Sequence, residues 1–136
     1  MSMKGVYVLV IEVSESVDLV IGSLGRIRFL RGLYAYVGSA QNGLEKRIER
    51  HLSDDKKVFW HIDYLLDCAK VVKVFYMEEP KSFECATAQM LCETAQEVAG
   101  FGCSDCRCGA HLFRIKGIET VMKLGMEEFC THGKAI

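Results

Sequence analysis

Near the N-terminus, Gly5-Val-Tyr-Val-Leu-Val-Ile-Glu-Val13 carries β-branched and apolar side chains on both of its alternating faces. Such a run suits a central strand buried from two sides, so the chain is expected to organise around a sheet. It is far shorter than the roughly 20 residues that span a bilayer. Lys4 precedes it, but no small-residue cleavage site closes it, so it reads as a strand and not as a signal peptide, and no membrane association is expected.

The patterns that follow alternate between strand and helix. Gly32 separates two alternating stretches, which predicts a hairpin of about Arg26–Phe29 and Leu33–Val37 with Tyr34 and Tyr36 on one face. From Gly43 to Ser53 the period becomes helical, with Leu44, Ile48 and Leu52 in one stripe. A second helix is expected over Phe59–Ala69 and a strand over Val71–Met77. A long helix should begin at Pro80-Lys-Ser82, with Ser82 as its N-cap and Gly100 as its stop. A cysteine-rich loop follows from Phe101 to Ala110, then a short strand His111–Ile115 and a last helix near Ile118–Phe129. This is an α+β pattern with a small mixed or antiparallel sheet flanked by helices. With 136 residues, 50% of them hydrophobic, one proline and no linker-like stretch, residues 1–136 read as one domain.

Charge restricts the partners. Seventeen basic residues against 18 acidic ones give a net charge of −1, which argues against a strongly cationic, non-specific nucleic-acid binder; any polyanion site must be local. Seven cysteines, an odd number without a secretory signal, point to thiols or metal ligands in a reducing, cytoplasmic setting and not to a disulfide framework.

The helical wheels single out two charged residues. On the helix from Gly43, Ile48 lies near the centre of the apolar stripe, His51 at its edge and Arg47 just beyond. Arg47 can aim its planar fork at a phosphate, or lay its stem along the core rim with the head in water. On the long helix, Glu84 falls on the same face as Ala88 and Leu91, whereas Glu93 and Glu97 face solvent. An inward carboxylate calls for compensation: either a hard divalent cation, or the positive helix N-terminus with its head bent to water.

Gly5-Val6-Tyr7 on a first strand, Tyr36-Val37-Gly38 at the end of a later one, and Glu45-Lys46-Arg47 with Arg50-His51 on the next helix resemble the GIY-YIG nuclease superfamily. The order and placement of these motifs carry the likeness more than either tripeptide. Tyr36-Val-Gly-Ser-Ala40, Trp60-His-Ile-Asp-Tyr-Leu-Leu66 and Ser104-Asp-Cys-Arg-Cys-Gly-Ala-His-Leu-Phe113 are similar to one branch of small, mostly archaeal members, sometimes fused to DNA-repair enzymes. The resemblance implies a metal-dependent endonuclease acting on DNA, in repair or processing. In that reading Tyr7 activates water, Tyr36 shapes the same pocket, Arg47 neutralises developing charge, and Glu84 holds one Mg²⁺ or Mn²⁺. His51 serves as proton relay or phosphate ligand, and Arg50 and His61 are secondary phosphate contacts. For His61 the alternative is a structural hydrogen bond to a loop.

The chain departs from the family by its longer connection between Tyr7 and Tyr36 and by Val6 and Val37 in place of isoleucines. The preferred DNA would be structured or damaged, reached alone or through a partner protein. The alternative function is a catalytically silent nucleic-acid or protein-binding module. Cys103, Cys106, Cys108 and His111 form a second candidate group, in C-x2-C-x-C-x2-H spacing. That spacing is tighter than paired zinc knuckles, and leaves zinc ligation, a redox thiol pair, or packed thiols with a loop-capping histidine.

Overall fold

The computed structural model describes residues 4–40, 43–53, 61–98, 101 and 111–129. In chain order the elements are β1 (Gly5–Val13), β2 (Val17–Val20), a 3-10 turn (Gly22–Leu24), β3 (Arg26–Phe29), β4 (Gly32–Ala40), α1 (Leu44–Leu52), α2 (His61–Leu66), β5 (Lys70–Met77), α3 (Ser82–Cys92), β6 (Gln96–Glu97), β7 (Leu112–Ile115), α4 (Glu119–Met122) and β8 (Glu127–Glu128). This is a mixed α+β architecture. Six strands form an antiparallel sheet in the order β6-β7-β4-β1-β5-β8, and β2 and β3 make a separate two-stranded ribbon.

β1 takes the central place its composition calls for. It pairs with β4 from Gly5 opposite Ala40 to Val13 opposite Gly32, and with β5 on its other side, with a register shift between Val10 and Ile11. Because side chains alternate, Tyr7, Leu9, Ile11 and Val13 enter one core while Val6, Val8 and Val10 enter another. The first core is closed by Leu44 and Ile48 of α1, Ile62 and Leu65 of α2, and Ile21 and Phe29 of the ribbon. The second is closed by Ala88 and Leu91 of α3 and Val121 of α4.

Helix α1 has nine residues, too few to be stable alone, so the full burial of Leu44 and Ile48, worth about 1.5–3 kcal/mol each, holds it in place. It starts at Gly43, whose φ of 106° is left-handed and whose carbonyl accepts the Arg47 N–H. No described helix is long and apolar enough to cross a membrane.

Four expectations are corrected. Arg26–Phe29 pairs with Val17–Val20 and not with the strand after Gly32. The tight turn at Gly22–Leu24, closed by the Ile21 N–H to Gly25 carbonyl bond of 2.9 Å, makes this the more local pairing, and Val17 and Leu19 pack inward against the core. The long helix stops at Cys92: the Thr94 and Ala95 N–H groups both turn back to the Leu91 carbonyl, and Gln96–Glu97 joins the sheet against Arg114 and Phe113. Ser82 is the first residue of α3 and makes no cap; Lys81 precedes it. The last helix is only Glu119–Met122, ended near Gly125 with φ of 77°, and Glu127–Glu128 then pairs with Tyr76 and Phe75.

Candidate functional site

The site is built at the Tyr36–Ser39 end of β4, where alternation sends Tyr36 to the α1 side of the sheet and Ser39 to the α3 side. Tyr7 stands directly across from Gly38 in the β1–β4 register. A Cβ on Gly38 would lie 2.5 Å from both Cζ and Oη of Tyr7, so the missing side chain is what lets the phenol ring lie across the strand. The hydroxyl then reaches Nε2 of His51 at 2.8 Å. The His51 ring sits 5.4 Å from the Tyr7 ring and edge-on to Tyr36 at 6.2 Å. Tyr7 and His51 are 1% and 2% exposed. Gly38→Ala is expected to cost about 1–3 kcal/mol by displacing this buried ring. Urea denaturation measures it, and a variant as stable as the parent would show that the ring is not confined there.

On the opposite side of the sheet, Ser39 Oγ donates to Glu84 Oε1 at 2.8 Å, and His111 Nδ1 lies 3.0 Å from Glu84 Oε2. His111 is fixed by its backbone, its N–H bonding the Phe101 carbonyl and its carbonyl receiving the Val37 N–H, each at 2.8 Å. Arg47 reaches the strand backbone from α1: its Nη1 donates to the Ser39 carbonyl at 3.2 Å, and its charge acts on both Tyr7 and Tyr36.

The electrostatics sort these groups into distinct states. Burial pushes the Tyr7 phenol well above its ordinary value; Arg47 opposes this by charge and hydrogen bond, and the Glu84 and Asp63 carboxylates reinforce it. Tyr36 is raised in the same way, by burial first and then by Tyr7 and Glu84, against Arg47. Burial also acts to raise Glu84, but its bonds from His111 and Ser39, with the charges of His111 and Lys81, outweigh burial and hold the carboxyl below the usual range. At neutral pH the site thus presents an ionised carboxylate, a guanidinium, and neutral phenols next to an imidazole. With His51 protonated at Nδ1, Tyr7 donates its proton to Nε2; in the other tautomer the phenol oxygen accepts.

Tyr7, Tyr36, Arg47, His51 and Glu84 are therefore gathered at one end of β4. Arg50 and His61 make contacts within the protein. Arg50 places both terminal nitrogens on Asp63, 3.1 Å to each oxygen, and His61 packs its ring 5.8 Å from Phe101. Cys103, Cys106 and Cys108 lie outside the described residues. Their proposed companion His111 is bound to Glu84, a link that C-x2-C-x-C-x2-H spacing does not reveal. Ser39 is a further site residue the sequence reading did not single out. Its position after Tyr36-Val-Gly assigns it the opposite face from Tyr36 by alternation, but nothing in the sequence ties it to Glu84. A groove of about 710 Å³ is bounded by Gly32, Leu33, Gln96 and Arg114, at the far end of β4, and includes none of the predicted site residues.

The donor set suits a divalent cation: an ionised carboxylate whose orientation is fixed by two hydrogen-bonding partners, with a buried imidazole beside it. Among the described residues, no three His, Cys, Asp or Glu side chains cluster as a closed metal cage. Compared with known proteins, the chain matches the family model described as Domain of unknown function DUF123 over residues 6–131. No curated protein and no solved structure matches it.

Proposed function

As a member of the DUF123 family, a domain of unknown function, the chain has its chemistry to be argued from the site, and we propose that it is a divalent-metal-dependent endonuclease hydrolysing DNA phosphodiester bonds. The observation that carries this reading is the meeting, at one end of β4, of the ionised Glu84, the Arg47 guanidinium and the Tyr7–His51 pair. The likeness to GIY-YIG nucleases supports the same assignment.

Glu84 would hold the cation, whose chemistry there would be Lewis-acid polarisation of the scissile phosphate and charge for the leaving oxygen. The chain's own residues do the rest. Arg47, already directed to the Ser39 carbonyl, is within the same group to pair with a phosphate oxygen as charge builds on it. Tyr7 takes the proton of the attacking water as its own proton passes to His51 Nε2, so a bare phenolate is never required. This transfer reconciles the role of Tyr7 with a phenol that burial keeps neutral. Tyr36 packs its ring edge against His51 and keeps the imidazole facing Tyr7. Arg50 is assigned to holding Asp63 and not to DNA.

One observation favours the second reading, a silent binding module: Tyr7 is 1% exposed, so water reaches it only if the end of β4 opens. A panel of supercoiled, flapped and branched DNA in Mg²⁺ or Mn²⁺ separates the two. Nicking that a chelator stops is the expected result. Binding to the panel with no cleavage would turn the assignment to the silent module, and neither binding nor cleavage would defeat both. With Arg47 the one phosphate contact assigned, log affinity should fall with log salt at a slope of only about −1.

A further inference from the structure

Glu84 is held from two directions by residues that are far from it in sequence. Ser39 in β4 takes Oε1, and His111, at the entry to β7, faces Oε2. The His111 side chain is 3% exposed, whereas Glu84 keeps 15%, so the carboxylate can be approached from solvent while the imidazole stands behind it. The His111 backbone is clamped between Phe101 and Val37, which fixes where the ring projects.

The separation of Nδ1 and Oε2, 3.0 Å, has two chemical readings. It suits a hydrogen bond. It also equals the spacing of two donors on one ion, since ligands about 2.1 Å from a metal and at right angles lie about 3.0 Å apart.

We propose that His111 Nδ1 and Glu84 Oε2 together ligate the cation, making a mixed nitrogen and oxygen site that selects a first-row transition ion over Mg²⁺. This deepens the cation reading of Glu84 above and rests on it. The chemical basis is donor preference. Mg²⁺ prefers oxygen and retains its waters, whereas transition ions gain from an imidazole nitrogen. Binding would require Nδ1 to release its proton to solvent, with the neutral ring then carrying its remaining proton on Nε2, so that the Nδ1 lone pair is open to the ion. Ser39 holds the other carboxylate oxygen and orients Glu84 without touching the ion, as an outer partner of a metal ligand does. Water and the substrate's phosphate oxygens would complete the coordination. The assignment uses none of the cysteines preceding His111.

The test uses the full chain without nucleic acid and Mn²⁺ as the probe. Pulsed electron paramagnetic resonance of one bound Mn²⁺ should show coupling to a directly bonded nitrogen in the wild type and in His51→Ala, and none in His111→Gln. Competition titration should show Mn²⁺ displacing Mg²⁺ at about ten-fold lower concentration, a preference that His111→Gln removes. A histidine that only orients Glu84 would give no nitrogen coupling in the wild type, and its loss would weaken Mn²⁺ and Mg²⁺ together, by about 10–100-fold. Either of those results overturns the proposal, and so does failure of the wild type to bind Mn²⁺. The nitrogen measurement is made on the unmodified protein, so it does not depend on the variants folding. A nitrogen-bound cation in a chain that cuts no DNA would sink the nuclease reading and leave the ligand assignment standing; DNA cleavage with a nitrogen-free cation would do the opposite.

Discussion

Tyr7→Phe, Arg47→Ala and Glu84→Gln should each slow the nicking of supercoiled DNA by about 10²–10⁴-fold while circular dichroism stays that of the parent. The three act on different parts of the site. Tyr7→Phe removes one oxygen and leaves the ring across Gly38, so its loss falls on proton transfer to His51. Arg47→Ala removes the guanidinium that bonds the Ser39 carbonyl and whose charge acts on both tyrosines. Glu84→Gln keeps the side-chain volume and a carbonyl for Ser39 but removes the negative charge that a cation needs. Activity that survives unchanged in all three would mean that a contaminating enzyme produced it. A loss confined to Tyr7→Phe and Arg47→Ala would remove Glu84 from the chemistry.

Arg50→Ala should give the largest loss of stability, about 3 kcal/mol, or roughly 10 °C in thermal melting for a domain of this size. Asp63 has only 1% of its side chain exposed, and Arg50, at 29%, places one donor on each of its carboxylate oxygens, so the truncation removes two charge-assisted hydrogen bonds between α1 and α2 from a buried carboxylate. Partial exposure of Arg50 keeps the expected figure at the low end for a buried pair. Removing both partners in Arg50→Ala/Asp63→Ala should recover part of the loss, because no charge is then left behind. A single variant melting within about 2 °C of the parent would show that water already screens Asp63. His51 follows Arg50 on α1, so loosening this pair should also broaden the Tyr7–His51 contact.

The sequence was most informative where one residue's neighbours determine its surroundings. Leu44 and Ile48 in α1, and the two apolar faces of β1, follow from local period alone, and the structure buries them; Leu52, expected in the same stripe, is only partly buried, and His51, expected at its edge, is buried. It was least informative where a pairing depends on a distant segment. Cys92 to Gly100 has helical spacing, yet Gln96 and Glu97 leave the helix because the edge of β7 offers them hydrogen bonds, and no local pattern encodes that offer. The same holds for the candidate site. Tyr7, Tyr36, Arg47, His51 and Glu84 were legible from motif order and wheels. The Ser39 and His111 contacts to Glu84 were not, because each closes a long loop between strand ends. Arg50 shows the converse limit: its sequence neighbourhood suggests phosphate, whereas a carboxylate 13 positions away takes its donors.

The sheet's two outer strands have a consequence for behaviour at high concentration. β6 and β8 are two residues each, fully exposed, and carry Glu97, Glu127 and Glu128. Two-residue outer strands give a second molecule little backbone to pair with, and the glutamates repel a second copy of the same edge. Charge at these margins acts against fibril growth from a sheet whose interior is largely valine, leucine and isoleucine, and replacing the three glutamates with valine should make the protein more prone to aggregate.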